Sequence, residues 1–205
     1  MIDTQISARG IRDPRVLAAM DAVPRERFVP EALRSAAYED RALPIDEQQT
    51  ISQPYIVAYM TDALCVAPHH RVLEVGTGSG YQVAVLAHLA NEVHTIERLE
   101  VLSETAARRV AALGIQNVQF HLGDGSLGWP DAAPYDRIIV TAAAPAVPPA
   151  LIAQLVEGGI LVLPVGEQGK QTLVSATRRA HRTVERVLIA CRFVRLVGRD
   201  AWHGS

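Results

Sequence analysis

Residues 71–82 read Arg-Val-Leu-Glu-Val-Gly-Thr-Gly-Ser-Gly-Tyr-Gln, and this stretch decides the fold. It begins with a short apolar run that is typical of a buried strand, and the run ends at Gly76. Two more glycines follow at alternate positions, and an apolar pattern with helical spacing starts near Tyr81. A strand, a glycine turn and a helix start together predict a ligand cradle, because glycine lets the backbone approach a ligand and a helix N-terminus presents free N–H groups.

The spacing of the glycines narrows the class of ligand. A dinucleotide-binding loop has the pattern G-x-G-x-x-G, whereas here the third glycine, Gly80, comes one residue early. Glu74 lies two residues before Gly76, inside the strand. A carboxylate beside the cradle suits a positively charged ligand better than a diphosphate. A strand–turn–helix corner without a ligand is the alternative at this point.

Length and composition indicate an ordinary globular domain. The chain has 205 residues, of which 49% are hydrophobic and 20% are charged, and its formal net charge is −2. This balance provides no basic field that would favour nucleic acid as a partner. One local basic cluster is expected to be a solvated loop, and it contains Arg178, Arg179, His181 and Arg182.

Cysteine usage and the N-terminal residues favour a cytoplasmic protein. Cys65 and Cys191 stand in apolar surroundings without a C-x-x-C pair, so we expect buried free thiols in a reducing compartment. No apolar run approaches the roughly 20 residues of a membrane span, and residues 1–5 lack the pattern of a signal peptide. The seven histidines show no metal-ligand spacing, so we expect no metal site.

Residues 1–45 predict an N-terminal helical cap on the main domain. Asp13-Pro14 is a typical helix start, apolar residues follow at helical spacing, and Pro24 ends the helix. A second short helix is predicted over residues 30–37, and residues 38–45 are expected to be irregular. The segment has too few apolar positions to fold alone, so it is expected to pack on the rest of the chain.

Residues 49–55, Gln-Thr-Ile-Ser-Gln-Pro-Tyr, precede another apolar run with helical spacing. Ser52 followed by Pro54 predicts a capped helix start, in which the hydroxyl would add about 1 kcal/mol of stability and have no other role. Alternatively, this hydroxyl and the free N–H groups of the helix form an anion site just before the glycine strand. The residues alone leave both alternatives open.

From residue 71 onward, predicted strands and helices alternate, which indicates a parallel sheet covered on both faces. Seven strands are predicted, at about 72–75, 92–96, 118–121, 136–140, 160–163, 171–176 and 184–196. Helices are predicted at about 81–89, 99–113 and 147–157.

Acidic residues follow the predicted strands at their carboxyl ends, where such a sheet binds ligands. Glu97 lies at a position where a carboxylate can accept both hydroxyls of a ribose, although it could instead complement a helix dipole. Asp124 lies between two glycines and can accept from an adenine amino group, although it could instead be a simple turn residue. Neither residue is basic, so a phosphate-rich nucleotide is disfavoured.

With these motifs in place, the chain resembles the protein-L-isoaspartate O-methyltransferase family. The pattern E-x-G-x-G-x-G at residues 74–80 resembles the first motif of S-adenosylmethionine-dependent methyltransferases in general. Gln49-Thr50-Ile51-Ser52-Gln53-Pro54 is far more specific, because generic methyltransferases lack it. The other matching stretches follow the same order, at residues 23–30, 97–98, 123–125, 135–141 and 193–198.

The resemblance implies a doubly wound, mostly parallel, Rossmann-like α/β sheet of the class I methyltransferases, with extra N-terminal helices. It implies one domain over residues 1–205, with a cap and active-site loop at 1–63 and a cofactor-binding core at 64–205. The implied reaction moves a methyl group from S-adenosyl-L-methionine to the α-carboxylate of an L-isoaspartyl residue in a damaged protein or peptide, leaving S-adenosyl-L-homocysteine. The ester then closes to a succinimide without the enzyme, and hydrolysis returns some normal aspartate. We expect a monomer whose partners are isoaspartyl proteins or peptides, with no nucleic acid and no membrane.

Residue roles follow from the same resemblance. Ser52 matches the family's active-site hydroxyl, and Thr50 and Ile51 match residues at the junction of cofactor and acceptor. The strand that holds the peptide substrate is matched by Val194, Arg195 and Leu196. Cofactor contacts are expected from Glu74, Gly76, Thr77, Gly78, Ser79, Gly80, Glu97, Asp124, Gly125 and Thr141.

Two departures from the family pattern concern the substrate. The family usually has glycine just before the Q-T-I-S motif, where this chain has Asp46-Glu47-Gln48, and it usually has proline in place of Arg195. Two alternatives therefore stay open: a related carboxyl methyltransferase acting on a dedicated peptide or another carboxylate, and a non-catalytic cofactor-binding protein. The glycine spacing disfavours a nicotinamide-dependent dehydrogenase.

Overall fold

The computed structural model describes residues 1–167, 169–180 and 182–203. Its centre is a seven-stranded sheet, and a small two-stranded hairpin precedes this sheet in the chain. The hairpin strands are β1 (Leu43–Pro44) and β2 (Thr50–Ile51). The sheet strands are β3 (Arg71–Val75), β4 (Glu92–Glu97), β5 (Val118–Leu122), β6 (Tyr135–Val140), β7 (Leu155–Val165), β8 (Gln171–Arg179) and β9 (Arg182–Cys191).

Strand order across the sheet is β5-β4-β3-β6-β7-β8-β9. Neighbours from β5 to β7 are parallel, and β8 and β9 are added antiparallel. The predicted mostly parallel, seven-stranded sheet is therefore confirmed. The chain runs outward from β3 to β5 and then returns to β6 on the other side of β3, so the carboxyl end of β3 lies at the point where the strand order reverses. Open α/β sheets bind their ligands in the crevice at this point.

Apolar residues on both faces of the sheet explain why it is covered on both sides. Side chains alternate between faces along a strand, so Val72 packs in a cluster with the N-terminal helices while Leu73 packs in a second cluster with Leu151. Ile139 and Ile138 of β6 divide between the two clusters in the same way. This pattern is that of a doubly wound sheet, as the sequence predicts.

Five α-helices accompany the sheet in the described part of the chain: α1 (Pro14–Ala22), α2 (Pro54–Leu64), α3 (Tyr81–Ala87), α4 (Glu100–Ala111) and α5 (Pro149–Ala153). The predicted start of α1 is confirmed, because the Asp13 carboxylate accepts a hydrogen bond from the backbone N–H of Arg15 at 2.8 Å. None of the helices among the described residues is long and apolar enough to cross a membrane.

The predicted helix over residues 147–157 is wrong in its second half. The helix ends at Ala153, and β7 begins at Leu155 because Leu155 pairs with Tyr135 of β6 before the register shifts. Gly158 takes a φ of 78° at this irregularity. Continued pairing with β6 outweighs the helical spacing of the apolar residues, so β7 is longer than the predicted strand at residues 160–163.

The N-terminal segment packs on the sheet as expected, with two differences of detail. The second predicted helix is a 3₁₀ helix over Glu31–Ala36, and residues 38–45 include β1 rather than being wholly irregular. Ile6, Val16 and Phe28 of this segment belong to the same buried cluster as Val72 of the sheet. The N-terminal segment and the sheet therefore share one core.

The C-terminal hairpin corrects two expectations about surface groups. Arg178 and Arg179 lie in β8 and Arg182 lies in β9, so these residues form paired strands rather than a solvated loop, while His181 lies outside the described residues. The two cysteines are free thiols as expected, but Cys65 is exposed because it caps the C-terminus of α2 in a left-handed conformation with φ of 50°. Cys191 is partly buried at the end of β9.

Candidate active site

A two-part cleft opens at the carboxyl ends of β3, β4 and β6. The first part has about 550 Å³ of empty volume and is bounded by the glycine loop, Glu97 and the segment around Leu196. The second part has about 420 Å³ and extends from the glycine loop toward Ser52 and α2. The two parts share Thr50, Gly76, Gly78 and Thr141, so they form one continuous groove.

Gly76 and Gly78 shape the floor of this groove. Gly76 has φ of 92°, and a Cβ atom there would lie 2.5 Å from Oγ1 of Thr141. The Thr141 hydroxyl donates to the carbonyl oxygen of Gly76 at 2.5 Å, so it holds the first turn of the loop. Gly78 has φ of 51°, and the nearest heavy atom to a Cβ there would be Cδ1 of Ile45 at 3.9 Å. The loop therefore needs glycine for its conformation, and at Gly78 it leaves open space.

The remaining small residues of the predicted cofactor site fix the surrounding elements. A Cβ at Gly80 would lie 2.9 Å from Cβ of Ala106, so this glycine allows α3 to pack closely against α4. A Cβ at Gly125 would lie 2.5 Å from Cγ1 of Val75, at the end of β3. Ser79 is buried, and its hydroxyl accepts from the N–H of Tyr81 at 3.2 Å. These residues build the groove, and Gly125 also lines its first part.

Glu74 lies beneath the glycine loop rather than on the surface of the groove. Its side chain is fully buried, and one carboxyl oxygen accepts from the Thr95 hydroxyl at 2.5 Å. The Thr95 hydroxyl is in turn 2.6 Å from that of Thr77, which lines the second part of the groove. The other carboxyl oxygen, Oε1, has no hydrogen-bond partner in the described chain. Burial raises the pKa of Glu74 to about 8, and the nearby Glu97 adds to this effect.

Glu97 joins the glycine loop to the start of α4. Its Oε2 atom accepts from the N–H of Gly78 at 3.0 Å, and its Oε1 atom accepts from the N–H groups of Arg98 and Leu99 at 2.9 and 3.1 Å. It therefore has the helix-complementing role that the sequence left open as an alternative. A carboxylate has about four acceptor positions, so capacity for a ligand hydroxyl remains on the side that lines the groove.

Both carboxyl oxygens of Asp124 accept hydrogen bonds from other residues of the chain. One carboxyl oxygen accepts from the N–H and hydroxyl of Ser126 at 2.9 and 2.7 Å, and the other accepts from the N–H of Arg199 at 2.8 Å. Burial opposes ionisation of Asp124, but these hydrogen bonds outweigh it and lower the pKa. Gly198 lies so close that a Cβ there would be 2.0 Å from the carboxylate. Asp124 thus anchors the C-terminal segment, and its contact with adenine stays a prediction.

Ser52 lines the second part of the groove together with Ile51, at the end opposite Glu97. Of the two alternatives for Ser52, the N-cap is wrong, because the N-cap of α2 is Gln53 and no side chain caps this helix. Thr50 is exposed where the two parts meet, and Ile51 is buried in β2. The structure therefore brings the hydroxyl and the glycine loop to one groove, as the alternative prediction requires.

The C-terminal segment forms the outer wall of the first part of the groove. Ala143, just after β6, donates to the carbonyl of Val194 and accepts from the N–H of Leu196, both at 2.8 Å. Arg195 lies between these contacts with an exposed side chain, and its guanidinium carbon is 5.2 Å from the centre of the Trp202 ring. The prediction that a strand continues to residue 196 is wrong, because β9 ends at Cys191 and only an isolated bridge joins Arg195 to Ala143. Val194, Arg195 and Leu196 nevertheless all line the groove.

Several functional candidates were not assigned from the sequence. Gln49 and Arg98 line the first part of the groove, and Gln82 and Met60 line the second. Gln49 and Arg98 lie inside motifs that carry the family resemblance, so the motifs could have identified them. Gln82 ends the glycine stretch at residues 71–82, so that stretch could have identified it too. Met60 belongs only to an apolar helical pattern, which predicts burial and nothing further.

The loop before Thr50 explains one departure from the family pattern. Glu47 and Gln48 both have φ of 56°, in the left-handed region that favours glycine. They form the turn of the β1–β2 hairpin, in which Ile45 donates to the carbonyl of Gln49 at 2.9 Å. The backbone therefore keeps a conformation suited to glycine although the residues have changed.

The chemistry of the first part of the groove fits a sulfonium nucleoside. Glu97 at the wall matches positive charge, and no basic side chain lies in the glycine loop itself. The expected carboxylate charge of Glu74 is not available at neutral pH, because burial keeps this group protonated. The orphaned Oε1 of buried Glu74 is an unused acceptor close to the loop. Val75, Ile96 and Leu196 supply apolar surface suited to a planar base. These features define the fold and site of a class I methyltransferase.

Comparison with known proteins agrees with this class and narrows it. Residues 1–201 match the family model for protein-L-isoaspartate(D-aspartate) O-methyltransferase. The chain therefore belongs to the protein-L-isoaspartate O-methyltransferase family. It is 55% identical to protein-L-isoaspartate O-methyltransferase 2 of Pelobacter propionicus, over 98% of this chain and 91% of that protein. It is 52% identical to the Syntrophus aciditrophicus enzyme, over 100% of this chain and 95% of that protein.

Solved structures show the same fold. One protein-L-isoaspartate O-methyltransferase structure matches 98% of this chain and 67% of its own, with a TM-score of 0.87 and 30% identity. A second, a Plasmodium falciparum protein in complex with S-adenosyl-L-homocysteine, matches 97% of both chains with a TM-score of 0.82 and 24% identity.

Proposed function

We propose that this protein methylates the α-carboxylate of L-isoaspartyl residues in damaged proteins or peptides, with S-adenosyl-L-methionine as the methyl donor. The observation that carries the proposal is the single continuous groove that has the glycine loop and Glu97 in one part and Ser52 in the other. Donor and acceptor sites must share such a groove if a methyl group is to pass directly between them. Membership in the protein-L-isoaspartate O-methyltransferase family supports the same activity.

The first part of the groove is the proposed donor site. Glu97 accepts the ribose hydroxyls, while Gly76, Gly78 and Thr141 form the floor shared with the acceptor site. Glu74 is kept protonated at neutral pH by burial, and its Oε1 atom has no partner among the described residues below the loop, where the amino acid part of the donor would lie. The bound donor supplies an electrophilic methyl group on a sulfonium, and the protein supplies position and a dry environment.

The acceptor site needs orientation more than proton transfer. A substrate carboxylate with a pKa near about 3.9 is already ionised at neutral pH, so no general base is required. Alignment of two reactants can supply roughly 7–11 kcal/mol in favourable cases. We assign this orienting role to Ser52, whose hydroxyl donates a hydrogen bond to the acceptor carboxylate and does not act as a covalent nucleophile. Thr50 and Ile51 line the junction, and the extended segment Val194–Leu196 borders the peptide.

A methyl-transfer assay tests the proposal. An isoaspartyl peptide and its aspartyl twin are each incubated with methyl-labelled donor and the protein. Base-labile label is expected on the isoaspartyl peptide only. Equal labelling of the twin, or no labelling of either peptide while S-adenosyl-L-homocysteine still binds, would contradict the proposed substrate.

A second candidate, methylation of a dedicated peptide or another carboxylate, is favoured by one observation. Arg195 is an exposed cation on the wall of the groove, where the family usually has proline. Such a cation would favour acceptors with an additional acidic group. A set of isoaspartyl peptides with acidic, neutral or basic neighbours tests this preference. Equal methylation rates across the set would contradict a role of Arg195 in selecting acidic acceptors.

Compartment, oligomeric state and domain organisation are also part of the proposal. We propose that the protein acts in the cytoplasm as a monomer, without nucleic acid or membrane as a partner. Two free cysteines support a reducing compartment. We also propose a single domain, since the N-terminal segment shares a buried cluster with the sheet.

A further inference from the structure

Arg25 is a completely buried charged residue in the N-terminal segment. Its Nε atom donates to the carbonyl of Ala37 at 2.8 Å, and its Nη2 atom donates to the carbonyl of Ser52 at 2.7 Å. Its guanidinium carbon lies 4.9 Å from the centre of the Tyr81 ring, at the start of α3. One side chain therefore contacts the N-terminal segment, the Ser52 loop and the helix that follows the glycine loop.

Burial of Arg25 is energetically costly. No carboxylate lies within ion-pair distance of it in the described part of the chain, and its Nη1 atom has no hydrogen-bond partner there. A hydrophobic residue of similar volume would fill the same space without the cost of removing a charge from water. The arginine is thus poorly explained by packing alone, and its directional contact with Ser52 distinguishes it from an apolar filler.

We infer that Arg25 is a positioning residue for the methyl-transfer reaction, holding the Ser52 carbonyl so that the Ser52 hydroxyl faces the acceptor. This inference rests on the proposed function of Ser52. The hydroxyl and the carbonyl belong to the same residue, so a fixed carbonyl restricts the backbone that carries the hydroxyl. Gln53, the N-cap of α2, donates from its side chain to the carbonyl of Asp40 at 2.9 Å and anchors the other side of the same loop.

The residues around Arg25 exclude water from its contact with the Ser52 carbonyl, and the guanidinium stays protonated there. Burial lowers the pKa of Arg25 to about 10, which still leaves the guanidinium protonated at neutral pH. The flat face of Tyr81 lies against it, and Tyr81 also lines the acceptor part of the groove with Ser52. The forked guanidinium reaches two carbonyls at once, which a lysine cannot reproduce.

The test uses Arg25→Met, Arg25→Lys and a control variant, Ile6→Val. Ile6 is fully buried in the same N-terminal core, and Ile6→Val removes one buried methyl group from this core at a site separate from Ser52. We expect kcat for the isoaspartyl peptide to fall about 10²-fold in Arg25→Met, because a misplaced catalytic group typically costs that much. KM for the methyl donor should change little, Arg25→Lys should stay impaired, and Ile6→Val should keep the parental kcat once corrected for the folded fraction. Parental kcat in Arg25→Met, or full recovery in Arg25→Lys, would overturn the inference.

A second measurement separates this inference from the proposed function. Amide hydrogen exchange around Ser52 is expected to rise in Arg25→Met and not in Ile6→Val, while β3 and β4 stay protected. Unchanged exchange around Ser52 would overturn the positioning role. If the parent protein fails to methylate isoaspartyl peptides, the proposed function fails, and the exchange result still decides whether Arg25 holds the loop.

Discussion

Ser52 lies where the N-terminal segment meets the glycine loop, and its two polar groups have separate partners. Its carbonyl accepts from Arg25, whereas its hydroxyl belongs to a residue that lines the acceptor part of the groove and does not cap α2. A cap would have stabilised the helix and left the reaction unaffected. The hydroxyl is instead assigned to the acceptor carboxylate, and replacement of Ser52 should affect turnover rather than folding.

Ser52→Ala is predicted to lower kcat for the isoaspartyl peptide roughly 10- to 100-fold, because a hydrogen bond to a charged group contributes about 1.5–3 kcal/mol. Calorimetry should give a nearly unchanged affinity for S-adenosyl-L-homocysteine. Ser35→Ala removes an exposed hydroxyl and serves as the control. A large loss of S-adenosyl-L-homocysteine binding in Ser52→Ala would place Ser52 in the donor site and contradict its assignment.

The burial of Glu74, below the donor site, makes the free energy of unfolding depend on pH. Its pKa is raised from the usual 4.5 to about 8, so the folded protein keeps this proton over a range in which the unfolded chain has released it. Stability therefore falls as the pH rises between these two values, by at most about 1.4 kcal/mol per pH unit. The effect is absent below 4.5, where both states hold the proton, and it is complete above about 8.

Glu74→Gln is predicted to remove this pH dependence, because glutamine keeps the shape and can accept from Thr95 without ionising. Urea unfolding of both proteins across the pH range should show the variant gaining stability over the parent as the pH rises. Glu104→Gln, at an exposed position on α4, should show no such trend. A stability difference between Glu74→Gln and the parent that stays constant with pH would refute the assignment of a protonated Glu74.

At the residue scale, sequence patterns predicted the donor side better than the contacts between distant segments. The glycine spacing and the acids at the strand ends are local patterns, and the structure brings Gly76, Gly78, Glu97 and Thr141 to one groove. The contact of Arg25 with the Ser52 carbonyl spans 27 residues, so it depends on how the chain folds back. The hydrogen bond from the Arg199 N–H to Asp124 spans 75 residues, so it could not be predicted from a local pattern either.

At the element scale, the β1–β2 hairpin positions Thr50 and Ile51 at the groove. Pairing of Leu43 with Ile51 and of Pro44 with Thr50 fixes its register. The hairpin was not predicted from the sequence, because each of its strands has only two residues and is too short to show an alternating pattern. Its turn carries two non-glycine residues in the left-handed region, which costs free energy.

Gln48→Gly is predicted to stabilise the protein by up to about 1 kcal/mol. It removes roughly 1–2 kcal/mol of left-handed strain, while glycine adds about 0.5–1 kcal/mol of backbone entropy cost. Asp46→Gly is the matched control, because Asp46 is in the same loop without a positive φ and should only destabilise. Denaturant midpoints measure both variants. A Gln48→Gly midpoint lowered as much as that of Asp46→Gly would show that the turn is unstrained.

The boundary between α5 and β7 shows another limit of sequence patterns at this scale. Residues 147–157 have apolar spacing that favours a helix, yet Leu155 pairs with β6 and starts the strand. Pairing with a neighbouring strand is a tertiary effect that overrides local preference. Where such competition is absent, as at Asp13 and at Tyr81, the predicted helix starts agree with the structure.

At the scale of the whole molecule, the alternation of strands and helices predicted the fold class because each strand has apolar residues for two covered faces. The same alternation placed the ligand site at the carboxyl ends of the strands. The N-terminal segment then closes the acceptor side of the groove, and the C-terminal segment walls the donor side. In the proposed function, the methyl donor and the isoaspartyl acceptor would meet in this groove.

Conversion of an isoaspartyl peptide to its aspartyl form is the direct measurement of the proposed repair activity. The peptide is incubated with S-adenosyl-L-methionine and the protein, and the isoaspartyl, succinimide and aspartyl forms are separated by chromatography over time. We expect donor-dependent loss of the isoaspartyl form, followed by succinimide and then by aspartyl peptide, with slower loss in Ser52→Ala. An isoaspartyl peptide that stays unchanged in the presence of donor and folded protein would contradict the proposed repair activity.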